Sequence, residues 1–292
     1  MMPNTLYLAP AKVNLHLAIT ATLANGYHTL DTSFVYVDVA DTLHISPATT
    51  LQVDCSNPSL SGEKNLVFQL LDAMRQHFHV VQGLNIFIQK HLPAQAGLGG
   101  GSSDAATAMM VANRMWNLNR SREELIAFAT PFGADIPCFL YQEASLALGI
   151  GDALTPYPDS IPTQTVLLAF PNVGLSTQKV FQHFDQQPNK FIRLTSHNND
   201  ARVRTHSRSL GMNDLESSAC ALSNEVKDLL DVLRQHSEKA WMSGSGSCCV
   251  ALLNTTEDAK ALQDHLYNQK LATWTHVGNF LTKHPLLENI GA

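Results

Sequence analysis

Charge is scarce in this chain. Only 15% of its 292 residues are charged and 45% are hydrophobic, which excludes the composition of a disordered chain. An excess of positive charge is also missing. The net charge is −6, which argues against nucleic acid or an anionic membrane as the main partner. Paired cysteines are absent too. Cys55, Cys138, Cys220, Cys248 and Cys249 are odd in number, two are adjacent, and no C-x-x-C occurs. That leaves no basis for a disulfide framework or a zinc site, and the cysteines read as small core residues in a reducing compartment. No apolar run is long enough to span a bilayer. The opening "MMPNTLYLAPAK" has neither the charged region nor the apolar run of a signal peptide. The expectation is a cytoplasmic protein with no membrane and no nucleic-acid partner. Internal repeats and low-complexity tracts are absent as well.

The length suits one large domain or two ordinary ones, either with a real core. "KVNLHLAI" alternates: Val13, Leu15, Leu17 and Ile19 share one face, and Lys12, Asn14 and His16 the other. This predicts a half-buried strand with a polar face turned toward something. "ANGY" signals a turn and "YHTLDTSFVYVDV" a returning strand, with short strands at "TLHIS" and "LQVD". Helical spacing runs through 65–78, and "LNIFIQK" (84–90) alternates again. Ser121 and Glu124 stand at capping-box spacing. Three prolines in a polar context, 155–164, suggest a boundary. Beyond it come a buried strand "TVLLAF", a short helix "LSTQKVFQHF", further helix within 213–235, a loop and strand "AWMSGSGSCCVALL", a capped helix and a last strand "TWTHVGNFL". The fold class read from this order is α+β, with domains at 1–160 and 161–292.

"PAQAGLGGGSSDAATAM" stands apart. It packs four glycines into five positions and runs into an alanine-rich helix. The first N–H groups of a helix lack intrahelical partners, and the helix dipole is positive there. Glycines let successive N–H groups turn inward around an anion. Gly97, Gly99, Gly100 and Gly101, followed by Ser102 and Ser103, supply those parts. The stretch is neither a P-loop, since no G-K-[ST] follows, nor a dinucleotide fingerprint, since G-x-G-x-x-G is missing. Local pattern leaves two readings open, a phosphate nest and a turn that packs strand against helix.

The same stretch resembles the phosphate loop of the GHMP kinases, a superfamily of small-molecule kinases. "APAKVNLHL" resembles that superfamily's first motif, and "MSGSGSCCVAL" (242–252) its third. Within the superfamily, "NGYHTLDTSF", "FGADIPCFL" and "NDLE" resemble the 4-diphosphocytidyl-2-C-methyl-D-erythritol kinase family of the non-mevalonate isoprenoid pathway. The likeness runs through most of the chain and fails near 186–212. It implies a ribosomal-protein-S5-like N-terminal domain and a ferredoxin-like C-terminal domain. It also implies ATP with Mg2+ as phosphoryl donor and the 2-hydroxyl of the cytidine diphosphate sugar alcohol as acceptor. A homoserine- or mevalonate-type kinase is the alternative.

The resemblance assigns roles residue by residue. Asp135 in "GADIP" would be the base, although a lone Asp there also suits a helix or turn cap. Lys12 would stand by Asp135 and stabilise developing negative charge; by itself it would pass for a strand-edge lysine. Asn14 would bond substrate hydroxyls. His16 reads as a satisfied histidine of the polar face. Tyr27 and His28 would hold the cytosine, one stacking and one reading its edge. Pro93, Ala94, Gln95, Ala96, Gly97, Leu98, Gly99, Gly100, Gly101, Ser102 and Ser103 would cradle ATP, with Asn65 and Lys90 on the adenosine side. No protein ligand is assigned to Mg2+. Asp104 divides between a magnesium ligand and a first-turn acid that suits the helix dipole. Asp214 and Glu216 would fix interdomain structure, and Ser243, Gly244, Ser245 and Gly246 would back the phosphate loop. The polar segment 186–212 carries Lys190, Arg193, Arg202, Arg204 and Arg208 against Asp200, with His197 and His206. In an acidic chain this reads as a solvated insertion rather than a nucleic-acid arm.

Overall fold

The structure is a computed structural model that describes residues 5–24, 26–171, 173–187 and 208–286. Most of the polar insertion, with Lys190, Arg193, His197, Asp200, Arg202, Arg204 and His206, lies outside the described residues.

One long hairpin organises the N-terminal half. β1 (Thr5–Thr22) pairs antiparallel with β2 (His28–Ala48). "TLHIS", expected as a separate strand, is the last third of β2. No turn residue interrupts the run, and Leu43 and Ile45 stay buried. β3 (Gln52–Cys55), α1 (Leu66–His77), β4 (Gly83–Gln89), α2 (Gly100–Met115), α3 (Arg122–Ala129), α4 (Ile136–Tyr141), β5 (Ser145–Gly149) and β6 (Ala153–Pro156) follow. The sheet runs β3-β4-β2-β5-β6, with β1 also on β2. Helices cover one face: Val67, Leu70, Leu71 and Met74 of α1 pack with α2 and α4 over Phe34, Tyr36 and Ile86. Buried residues of α2 run unbroken from Ser103 to Ala112. A helix enclosed on every side needs small side chains, which is why its first half is rich in alanine. The capping box of α3 forms as its spacing predicts, from Ser121 and Glu124.

The second half builds its own sheet. Its elements are β7 (Thr165–Phe170), α5 (Thr177–Asp185), α6 (Glu216–Leu222), α7 (Asn224–His236), β8 (Ala240–Met242), β9 (Cys249–Leu253), α8 (Thr256–Asn268), β10 (Trp274–Gly278) and β11 (Phe280–Leu281). The order β10-β7-β9-β8 is antiparallel throughout, the arrangement of a ferredoxin-like split βαβ. Leu229, Leu230 and Leu233 of α7 and Leu262 and Leu266 of α8 cover Leu167 and Ala169 of β7.

Two expectations change here. "TWTHVGNFL" is two strands: β10 pairs with β7, whereas β11 crosses to pair with β2. Asp38 anchors the crossing; its N–H donates to Asn279 O, and its carboxylate meets His276 and Asn279. The sheets therefore separate between Pro156 and Thr165, but residues 280–286 return to the first one. The strand expected to be half-buried is buried on both faces, with Lys12, Asn14 and His16 at 2–3% exposure. Its apolar residues Val13 and Leu15 pack with Leu168, Trp241 and Val250, so the second sheet covers that face. The glycine loop closes over the polar face near Lys12.

Candidate active site

The four glycines fall into three kinds. Gly97 and Gly99 have φ of +75° and +71°, the left-handed region that L side chains resist. A Cβ on Gly97 would collide with Ser243 O, and one on Gly99 would come within 2.9 Å of the Phe139 ring. These two serve packing. Gly100 opens α2 without a positive φ, and its Cβ would press on Asp41 and Leu92 at 3.3–3.4 Å. Gly101 differs from all three: a Cβ there meets nothing within 4 Å, because its missing side chain opens on the cleft. The packing reading holds at Gly97 and Gly99, and Gly101 leaves the open space that a phosphate nest requires.

The N-cap of α2 is Gly99, with no side-chain cap bond. The N–H groups of the first turn therefore keep their capacity for an anion. Ser102 lines the cleft. Ser103 does not: it is fully buried, and its Oγ has no hydrogen-bond partner among the described residues. That corrects its expected contact with phosphate. Backbone bonds clamp the loop from two sides. Lys12 N donates to Leu98 O at 3.0 Å, and Cys248 N to Ala96 O at 2.9 Å. Ser243 Oγ donates to Gly97 O at 3.3 Å.

The loop forms one wall of a cleft of about 810 Å³. Lys12, Asn14, Thr32 and Asp135 line it from the first half, and Thr177, Phe181 and Gly244–Gly246 from the second. Lys12 Nζ donates to Asn14 Oδ1 at 2.8 Å and stands 3.6 Å from Asp135 Oδ2. Asp135 occupies the N-cap position of α4, yet its side chain makes no capping bond. The carboxylate turns to Lys12 instead, which removes the plain capping explanation for it. Asn14 is held on every side. Its Nδ2 donates to Thr32 Oγ1 at 2.8 Å, its N–H to Ser243 Oγ at 3.2 Å, and its carbonyl accepts from Trp241 Nε1 at 2.8 Å. One amide N–H remains for a ligand.

Other expected site residues lie beside the cleft or under it. His16 is satisfied by Asp31 and Ser33, and Arg208 also reaches Asp31. Asn65 lines the far end of the cleft, but it also caps α1: Oδ1 accepts from Val67 N and Nδ2 donates to Leu60 O. Lys90 bridges Asp41 and Asp104. Burial alone would lower Lys90; the two carboxylates, Asp104 first, outweigh it and raise it. Burial pushes Asp104 up to about 7, with Lys90 opposing and Asp41 adding. Asp104 is the fifth residue of α2 rather than a first-turn acid, and its Oδ1 has no partner among the described residues. Asp214 and Glu216 carry structure: they accept from the N–H groups of Ile19 and Met242.

At the hairpin end, the structure does not bring Tyr27 into the cleft. Tyr27 is 65% exposed, because it sits in the short turn between β1 and β2. His28 Nε2 pairs with Asp185 Oδ1 at 2.8 Å, and its ring stacks on Phe181 with centroids 4.8 Å apart. Phe181 is the aromatic that lines the cleft here. Sequence reasoning placed it in a short helix and gave it no site role. Its signal was its place beside Val180 and Phe184, which are the buried pair of α5. A second cleft of about 640 Å³, near His236 and His265, contains none of these residues.

Residues 65–143 match the GHMP kinases N terminal domain, and 193–272 match the GHMP kinases C terminal domain. The chain is 36% identical over 283 residues to 4-diphosphocytidyl-2-C-methyl-D-erythritol kinase of Nitrosospira multiformis, covering 95% of this chain and 92% of that one. It is 37% identical over 257 residues to the protein of the same name from Delftia acidovorans, with 86% and 88% covered. A crystal structure of 4-(cytidine 5'-diphospho)-2C-methyl-D-erythritol kinase superposes with a TM-score of 0.76 at 28% identity, over 94% of this chain and 99% of that one. A crystal structure of L. major mevalonate kinase superposes with a TM-score of 0.68 at 17% identity over 97% of both chains, a likeness of fold.

Proposed function

The chain belongs to the 4-diphosphocytidyl-2-C-methyl-D-erythritol kinase family of the GHMP kinases, and from that premise we propose how its cleft works. ATP donates its γ-phosphoryl to the 2-hydroxyl of 4-diphosphocytidyl-2-C-methyl-D-erythritol, giving the 2-phosphate and ADP in the non-mevalonate pathway. One observation carries the site assignment: Lys12 and Asp135, from separate elements, stand 3.6 Å apart in the cleft that the glycine loop lines.

Phosphoryl transfer needs alignment and charge neutralisation more than covalent chemistry. The phosphates rest on the first turn of α2, in the space that Gly101 leaves open. Asp135 accepts the proton of the attacking hydroxyl as its oxygen bonds to phosphorus and the bond to the β-phosphate oxygen breaks. The Lys12 ammonium faces the negative charge that develops there. Asn14 has one N–H left for a hydroxyl of the acceptor. His28 and Phe181 hold the cytosine, with Tyr27 at the rim. Mg2+, when bound with the nucleotide, would neutralise phosphate charge. Ser102 and Asp104 would supply the hard oxygen donors that such a cation prefers on this wall of the cleft.

The test is ATP consumption against 4-diphosphocytidyl-2-C-methyl-D-erythritol, mevalonate and homoserine, with the phosphorylated position located by phosphorus NMR. Turnover of the first, at its 2-position, is expected. Faster turnover of either other alcohol would overturn the substrate assignment and leave the kinase standing.

A further inference from the structure

Thr32 enters no assignment made so far, and it ends a chain of hydrogen bonds that begins at Lys12. Thr32 is 1% exposed and lies on β2, opposite Leu17 of β1. Its hydroxyl donates to His16 O at 2.6 Å, just past the register shift between Asn14 and His16. A hydroxyl has one proton. With that proton on a backbone carbonyl, which cannot turn into a donor, Thr32 Oγ1 presents only lone pairs to Asn14. The Asn14 amide must therefore aim its NH₂ at Thr32 and its oxygen at Lys12. Lys12, an ammonium, can only donate. Every direction in the row Lys12–Asn14–Thr32–His16 O follows from that one carbonyl.

We propose that Thr32 is a positioning residue for phosphoryl transfer: it fixes the orientation of the Asn14 amide, and through it the placement of the Lys12 ammonium beside Asp135. Valine has nearly the shape of threonine and cannot accept. With valine at 32, a buried N–H of Asn14 loses its partner and the amide is free to rotate. In the rotated state an NH₂ faces the ammonium, two donors meet, and Lys12 loses the acceptor that aims it. ATP binding through the glycine loop does not pass through this row, whereas the acceptor hydroxyl that Asn14 binds does.

The inference rests on Lys12 and Asp135 being the transfer site, and the experiment separates the two ideas. Thr32→Val, Thr32→Ser, Lys12→Met and the Lys12→Met/Thr32→Val double variant are compared by kcat and by KM for ATP and acceptor. Thermal melting confirms that each is folded. Thr32→Val should lower kcat by about 10- to 100-fold, the scale of an unsatisfied buried donor. KM for ATP should stay within about threefold. Thr32→Ser, which keeps the hydroxyl, should restore the rate. In the Lys12→Met background, Thr32→Val should change nothing further.

A Thr32→Val kcat within twofold of wild type overturns the proposal. So does a serine variant as slow as the valine one, since the methyl would then be what matters. A fall carried by KM for ATP shows that the loss lies outside the transfer step, and it also overturns the proposal. If Lys12→Met itself keeps full turnover, the underlying site assignment fails. If Lys12→Met is inactive while Thr32→Val is normal, only this inference fails.

Discussion

At the glycine-loop end of the cleft, the two halves of the chain hold each other main chain to main chain, Cys248 N–H on Ala96 O. At the hairpin end they meet through side chains, His28 with Asp185 and Phe181. The first kind of joint depends little on which side chains are present and fixes atoms closely. The second depends on a few residues and changes whenever they do. The loop end therefore suits a step common to every phosphoryl transfer, and the hairpin end suits the choice of acceptor.

The sharpest test of that division removes chemistry at the loop end and leaves its joints alone. Asp135→Asn deletes a proton acceptor whose side chain caps nothing, so the fold should persist. Turnover should drop by about 10²- to 10⁴-fold, while ATP binding by calorimetry stays near wild type. A folded variant with ordinary turnover would leave alignment alone as the source of rate.

Within the loop, two substitutions should fail for opposite reasons. Gly97→Ala forces a side chain into a positive φ and against Ser243 O; it should lower Tm by several degrees, because it pries the halves apart. Gly101→Val has open space for its side chain. It should keep Tm within a degree or two and weaken ATP binding more than about tenfold, because that space is where phosphate meets backbone. Equal effects on Tm would remove the distinction between packing glycines and the open one.

The same contrast explains what the sequence made legible. The shared polar face of Lys12 and Asn14 and the glycine loop before a helix were readable because local rules govern them: period-two alternation, glycine conformational freedom and orphan N–H groups; the roles of Lys12 and Asn14 came only from the family resemblance. The capping box of α3 was readable for the same reason. Ser103 was misplaced because helix phase turns it into the core one residue after Ser102. Lys90 gave no sign of its buried carboxylates, since Asp41 lies 49 positions away in sequence. Phe181 gave no sign of its place in the site because its partner His28 comes from the other half, 153 positions earlier, and no local pattern spans that distance. The split of the last strand was hidden likewise: Phe280 pairs with Val37, a contact between chain ends.

A smaller effect is expected at the hairpin end. The Asp185 carboxylate can only accept, so the imidazole tautomer that pairs with it carries its proton on Nε2 and leaves Nδ1 as an acceptor. An acceptor suits the amino group of cytosine and opposes the carbonyl of uracil. Asp185→Ala should reduce the preference for the cytidine substrate over its uridine analogue by about 3- to 10-fold in kcat/KM, with ATP affinity unchanged. His28→Ala should reduce it further. A preference untouched by both variants would move base selection to Phe181 and the cleft wall.

The smallest effects concern α2, whose N-terminus makes the loop end, and two titratable groups that support it from opposite sides. His284 meets Thr107 of α2 and accepts from Leu286 N, and burial lowers it to about 3. Its folded pKa lies below the ordinary value of about 6.5. Its contribution is therefore complete above that value and is lost as pH falls toward 3. Asp104 has the opposite sign. Raised to about 7 by burial, it holds a proton in the folded state that the unfolded chain releases near 4. Stability from Asp104 is complete below about 4 and declines as pH rises to 7. The two slopes oppose one another, so wild-type Tm should vary little between pH 4 and 6.5. Each variant exposes one slope. Asp104→Asn should gain a few degrees on wild type between pH 4 and 7, then hold that gain above it. His284→Gln should lose ground to wild type as pH rises from 3 to 6.5. Melting curves at unit steps of pH decide it: a Tm difference for Asp104→Asn that is flat from 4 to 7 would mean that Lys90 keeps this carboxylate ionised throughout, and that the floor beneath the loop end does not titrate.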